Sequence, residues 1–335
     1  MARLEQKILN LVPQLFRKVI NRRSYKLDPQ MRFFLSFARF FKQAHECKSV
    51  EHARRSFSLL SKPGFRSHKD GMEVRNFFIE GSKRKIPVRL YLPPDFGPNS
   101  AVIMFMHGGG WVLGNLDSHN LVCKVLARDS GHAVLAIDYA LAPESPFPAA
   151  LYEGLDVYQW LMLHRSGLLG FSSPIIFCGD SAGGNLVTAL CLLCKQKGLE
   201  QPKYQILFYP VTDLMGESSS RKEFAEGYLL SRKTMTWFEK NYAAGQILTN
   251  PLVSPLYAKD CSGLAPAIIY LAGFDILFDE GLLYARLLEQ HGVRVDLNIM
   301  ERQIHAFANL YGMLPSATED FSLSIQKISQ LNLID

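Results

Sequence analysis

The five residues Gly179-Asp180-Ser181-Ala182-Gly183 stand between an apolar strand-like run, 174–178, and a helix-forming stretch, 182–197. A serine on a tight strand-to-helix turn has its oxygen lifted clear of a sheet, and the flanking glycines leave room for that turn. The start of the helix adds a field that favours a developing anion. A serine hydroxyl is a poor nucleophile at neutral pH, so it needs a base, and the base needs an orienting acid. Of the nine histidines, His305 is the one in a loop just after the last strand-like run. His291, His132 and His164 lie at or near helix ends, His119 opens a helix, and His45, His52 and His68 precede the sheet. For the acid, Asp275 follows the run IIYLAGF at its carboxyl end, with Asp279 and Glu280 a turn further on as alternatives. The third element is His107-Gly108-Gly109-Gly110-Trp111, after VIMFM. Three glycines in a row can present N–H groups to an anion with no side chain in the way, and with the Ala182 amide they would form an oxyanion hole. His107 reads as a brace for this loop. A nucleotide site is disfavoured, because neither GK[ST] nor GxGxxG with an acidic partner is present.

Such groups work only if the chain holds them together. Residues 73–79 and 86–92 alternate as an antiparallel pair with Gly81-Ser82 near the turn. Further strands are expected at 101–106, 133–137, 174–178, 206–209, 267–271 and 293–299. Helices are expected at 118–130, 147–165, 182–197, 278–291 and 316–330. Continuous apolar strands separated by helices indicate a mostly parallel sheet covered on both faces, an α/β architecture. The segment 212–256 carries Trp237, Phe238 and Tyr242 with a helical rhythm and no strand pattern. An insertion of that length in a compact domain is usually functional, and we read it as a cap joined to the N-terminal helices. Those are expected over Leu4, Ile8, Leu11, Leu15 and Val19, and over Phe33, Phe34, Phe37, Phe40 and Phe41, a face that packs on the body, covers an apolar site or meets a membrane surface.

The chain has 335 residues, 48% of them hydrophobic and 20% charged, which excludes a disordered or fibrous protein. The net charge of +6 is uneven: residues 1–100 carry 21 basic and 8 acidic side chains, and residues 101–335 carry 16 and 23. A basic front could meet a membrane or an acidic partner, but no nucleic-acid recognition motif accompanies it. Six cysteines are sparse for a disulfide scaffold, and Cys191 and Cys194 read as two core residues on one helix face. No signal-peptide layout opens the chain and no run approaches the length of a spanning helix, so the expected location is the cytoplasm.

The motifs HGGGWVLG at 107–114, DYALAPESPFPAAL at 138–151, GDSAGGNL at 179–186, DILFDEG at 275–281 and IHAF at 304–307 make the chain resemble the hormone-sensitive-lipase-like α/β-hydrolases, the bacterial family IV carboxylesterases. The resemblance implies an α/β-hydrolase fold, with an eight-stranded sheet and a helical cap. It implies Ser181 as nucleophile, His305 as base, Asp275 as orienter, and oxyanion donors at Gly108, Gly109 and Ala182. It departs from the pattern at Ala140, where arginine is usual, and at Ile276, where proline is common. The expected division is 1–50 N-terminal cap helices, 51–211 first core part, 212–256 cap insertion and 257–335 second core part. The expected activity is hydrolysis of a small-molecule ester of short to medium acyl length through an acyl-enzyme, with no metal or organic cofactor. Trp111, Phe37 and Phe41 are the candidate lining of an apolar pocket. Two other readings stand beside it: a non-catalytic small-molecule binder on the same fold, and a membrane-docking lipase. Homodimerisation, acyl transfer and amide deacylation stay open.

Overall fold

An apolar run without a polar break cannot line a solvated face, so these strands must be covered on both sides. The computed structural model describes residues 25–61, 71–170 and 172–333. Eight strands form one sheet: β1 (Glu73–Glu80), β2 (Lys85–Leu92), β3 (Val102–Met106), β4 (Ala133–Ile137), β5 (Ile175–Asp180), β6 (Tyr204–Phe208), β7 (Ala267–Phe274) and β8 (Val295–Ile304). Their spatial order is β1-β2-β4-β3-β5-β6-β7-β8. β2 runs antiparallel to both β1 and β4, and every other pair is parallel.

The helices are α1 (Pro29–Ala38), α2 (Val50–Leu60), α3 (Asn120–Ser130), α4 (Ala149–Leu169), α5 (Ala182–Gln196), α6 (Ser219–Glu223), α7 (Arg232–Ala243), α8 (Phe278–Gln290) and α9 (Pro315–Ser329). Side chains of β3 alternate between two cores. Val102, Met104 and Met106 join the layer that holds Leu155 of α4 and Leu190 of α5. Ile103 and Phe105 join the layer of Leu126 from α3 and Phe321 from α9. Full burial of one such side chain is worth about 1.5–3 kcal/mol over exposure, so the double cover is what makes the sheet rigid. Met106 of β3 is in register with Gly179 of β5, and Asp180 with Phe208 of β6. That register brings the chain segments after β3, β5 and β7 to one edge, where an open α/β sheet places its ligands.

The phenylalanine-rich segment differs from the expected single helical face. α1 is capped by Asp28, whose Oδ1 accepts the N–H groups of Gln30 and Met31, and it ends at Ala38. Met31, Phe34 and Leu35, at i, i+3 and i+4, form its inward stripe. Phe33 and Phe37 therefore face outward, and Phe40 and Phe41 lie in the turns beyond the helix. These four are 66%, 53%, 74% and 55% exposed. The helical spacing read at Leu4 to Val19 lies outside the described residues.

Between β6 and β7 the insertion folds as α6, α7 and a 3-10 turn, Pro255–Tyr257. It meets the segment before the sheet through side chains. Gln43 Oε1 accepts the hydroxyls of Ser231 (2.5 Å) and Thr234 (2.6 Å), and His45 Nδ1 lies 2.9 Å from Thr234 Oγ1. On its other side Arg221 donates to Glu280 of α8 and to Glu239, each at 2.9 Å. Glu280 also accepts the Thr212 N–H at 2.8 Å. Cys191 and Cys194 are both buried in α5 and free.

Candidate active site

Ser181 is where β5 turns into α5. Its φ and ψ are 53° and −117°, a conformation that costs a non-glycine residue about 1–3 kcal/mol. The surroundings over-determine it. The Ser181 N–H donates to Phe208 O (2.9 Å), and its carbonyl accepts from Val211 N–H (3.2 Å). The turn is tight enough that a Cβ on Gly179 would lie 2.5 Å from the Gly183 carbonyl carbon, and one on Gly183 would lie 1.9 Å from Met106 O. Glycine is required at both, which is the physical content of the GxSxG spacing.

The Ser181 hydroxyl lies 2.9 Å from His305 Nε2. His305 Nδ1 lies 2.7 Å from Asp275 Oδ2, and the other Asp275 oxygen accepts the Leu277 N–H at 2.9 Å. Asp275 follows β7, and His305 follows β8 before the 3-10 turn Phe307–Leu310. An Nδ1–H donated to the carboxylate leaves Nε2 with a lone pair for the serine proton. All three side chains are buried, and Tyr209 packs edge-on against the imidazole at 4.9 Å. The two alternative acids point elsewhere: Asp279 accepts the Ser220 N–H (2.7 Å) and Glu280 holds Arg221.

The glycine loop needs left-handed backbone, with φ of 117° at Gly109 and 61° at Gly110. The donor set differs from the expected one at Gly108, whose N–H is directed at Asp180 Oδ1, 2.7 Å away. An N–H donated to a carboxylate is not available to substrate. The amide of Ala182 is the first of α5 and has no intrahelical acceptor. The Gly109 amide meets no acceptor among the described residues. His107 braces the loop as expected: its Nδ1 lies 2.7 Å from Gly108 O, and its carbonyl accepts the Tyr139 hydroxyl at 2.6 Å. Burial, with His119 nearby, pushes the His107 pKa down to about 3, so the ring is neutral.

The expected pocket residues lie in different places. Trp111 is fully buried, its indole stacked on Tyr242 of α7 at 4.2 Å and 6°. It is a wedge between loop and insertion, not an open wall. Phe37 is exposed on α1 with its ring edge to Phe33 at 4.8 Å, and Phe41 is exposed beyond that helix. The residues that sequence reasoning missed are those that hold the loops. Phe238 of α7 lies against Gly110 so closely that a Cβ there would sit 2.2 Å from the ring. Arg54 of α2 donates to Val112 O and Ala142 O, both at 2.9 Å, and pairs with Glu144. At Ala140, where the pattern usually has arginine, the N–H donates to Glu153, and Arg84 from the β1–β2 turn donates to both oxygens of that carboxylate, at 2.6 and 2.8 Å. Among the described residues no three His, Cys, Asp or Glu side chains gather as a metal-ion site, and no helix is long and apolar enough to cross a membrane.

Residues 103–309 match the family described as having the alpha/beta hydrolase fold. The chain is 38% identical over 298 residues to the carboxylic ester hydrolase LipN of Mycobacterium tuberculosis, covering 85% of this chain and 78% of that one. It is 38% identical over 249 residues to an ethyl acetate hydrolase of Pseudomonas putida, covering 73% and 78%. Among solved structures it is similar to an esterase of Pyrobaculum calidifontis, with TM-score 0.81 and 33% identity over 92% of this chain and 100% of that one. A thermostable esterase of Pseudomonas putida superposes with TM-score 0.84 at 29% identity, covering 91% and 98%.

Proposed function

We propose, from the premise that this chain belongs to the α/β-hydrolase family and is a serine carboxylesterase, that Ser181, His305 and Asp275 carry the reaction through an acyl-enzyme. The observation that carries the reading is the unbroken run of hydrogen bonds from the Ser181 hydroxyl through His305 to Asp275, at 2.9 and 2.7 Å. Ser181 Oγ attacks the ester carbonyl carbon while His305 Nε2 takes its proton. The carbonyl oxygen becomes an oxyanion and is met by the amides of Gly109 and Ala182. His305 then protonates the alkoxy oxygen, the bond to the alcohol breaks, and the acyl group stays on Ser181. Water gives a proton to His305 and attacks the acyl carbon; the bond to Ser181 Oγ then breaks as His305 returns that proton to it, releasing the acid and the free serine. Asp275 keeps the imidazole in the required tautomer and stabilises its cation.

Substrates are small-molecule esters of short to medium acyl length. The support is enclosure: Ser181 is 8% exposed, and the insertion packs on the neighbouring glycine loop, with Phe238 against Gly110 and Tyr242 stacked on Trp111. The N-terminal part to residue 50 and the insertion 212–256 together form a cap over a core of 51–211 and 257–335. The Gln43 and His45 contacts to α7 support that division.

The test is hydrolysis of p-nitrophenyl esters from acetate to palmitate by wild type and Ser181→Ala. The substitution should lower kcat by about 10⁶, to the residual left by binding and oxyanion donors alone. The best acyl length should fall below the long-chain esters. Undiminished turnover by a folded Ser181→Ala protein would remove Ser181 as the nucleophile.

A further inference from the structure

Asp180 directly precedes the reactive serine, yet no step above uses it. It is a carboxylate, 2% exposed, at the meeting point of the loops that follow β3, β5 and β8. Its Oδ1 accepts the Gly108 N–H at 2.7 Å. Its Oδ2 accepts from Asn309 Nδ2, in the turn just after His305, at 3.3 Å. His119 Nε2 stands 3.5 Å from Oδ1, and the His119 ring stacks on His107 at 5.3 Å, which in turn stacks on Tyr139 at 4.3 Å. The carboxylate also lies directly on the Gly108 backbone, where a Cβ would meet Oδ2 at 2.4 Å. An unpaired charge this deeply buried would be strongly destabilising, so its partners must matter. Burial alone would raise its pKa. His119 and the Gly108 N–H reverse that and hold Asp180 below the usual carboxylate range. The ionised form accepts at both oxygens with no proton of its own to place, and so suits N–H groups arriving from both loops.

We infer that Asp180 is a positioning residue for ester hydrolysis: by taking the Gly108 N–H it turns that peptide away from substrate, and by holding Asn309 it locks the oxyanion loop and the His305 loop in one frame. The consequence is electrostatic as well as geometric. Donors that are preorganised towards a developing oxyanion stabilise the transition state without moving when charge appears, and that advantage is lost when the loop is free to swing. This inference rests on the reading of Ser181 and His305 given above.

The experiment is kinetic. In Asp180→Asn the amide oxygen can still accept the Gly108 N–H, but its NH₂ then faces the Asn309 NH₂, donor to donor. The expected result is a fall in kcat of about 10², the size of losing one oxyanion donor, with KM within about threefold of wild type. The affinity for a trifluoromethyl ketone, which forms the oxyanion without leaving-group chemistry, should fall in step with kcat. The acid limb of the pH–rate profile should stay where it is. A merely structural role would lower the melting temperature or the active fraction without this split. A folded Asp180→Asn protein whose kcat stays within about twofold of wild type, or whose pH limb or KM moves in place of kcat, overturns the inference. If that variant does not fold, Asn309→Ala and His119→Gln each remove one partner and should show the same split at several-fold size; both at wild-type kcat also overturn it. Ser181→Ala separates the two claims. If it is inactive while Asp180→Asn is fully active, only the positioning role fails. If Ser181→Ala keeps full turnover, the nucleophile assignment itself fails.

Discussion

An imidazole with no water around it behaves as a neutral hydrogen-bonding ring, and His107 is one. Its pKa of about 3 lies below the ordinary value of 6.5, so the unfolded chain binds a proton that the folded chain refuses. Its contribution to stability is therefore present above pH 6.5 and is lost as pH falls from there towards 3. Between pH 7.5 and pH 5 the loss amounts to about 2 kcal/mol from this ring alone. Denaturant unfolding at the two pH values should show His107→Gln losing about that much less than wild type over the same interval; equal losses would mean that the ring takes up its proton in the folded state. The meeting of Ser181, Asp275 and His305 was legible in the sequence, since each follows a strand-like run and the sheet aligns those ends. The direction of the Gly108 N–H was not. It depends on the loop's left-handed dihedrals and on a carboxylate 72 residues away. The burial of Trp111 was hidden for the same reason, because its partner Tyr242 comes from the insertion.

The insertion is held to the core by charge and by close packing, and both are testable. Arg221 of α6 is 4% exposed and donates to Glu280, Glu239 and the Asp213 carbonyl. Removing it leaves the buried Glu280 and the half-buried Glu239 without their cation. Arg221→Ala should lower stability by about 3–5 kcal/mol in urea unfolding, well beyond the loss from a surface arginine. A loss under about 1 kcal/mol would mean that the clasp is marginal. The strands were readable because an uninterrupted apolar run of five or six residues admits few alternatives. The Phe-rich segment was not, because periodicity alone does not mark where a helix stops. Its end after Ala38 leaves Phe40 and Phe41 outside the wheel on which they were placed.

Across the whole molecule the parallel sheet was foreseeable and the order of its strands was not. Placing β4 between β2 and β3 depends on pairings between segments far apart in the chain, which local pattern does not encode. The union of the insertion with the segment before the sheet was expected, but the side chains that make it, Gln43 and His45 with Ser231 and Thr234, carried no signal of their own. The stack of Trp111 on Tyr242 gives this architecture an optical gauge. One ring belongs to the loop after β3 and the other to α7, and both are almost wholly buried. Lifting α7 would wet the indole and shift its emission to longer wavelength, whereas Trp160, packed near Phe77, would stay as it is. In a Trp237→Phe background, stopped-flow fluorescence on mixing with a slow-turnover ester should therefore show a red-shifted transient that Trp111→Phe abolishes. Such a transient would give the rate at which α7 lifts, and a steady spectrum throughout turnover would mean that esters reach Ser181 with the two rings still stacked, so the colour of one tryptophan would report which route substrate takes.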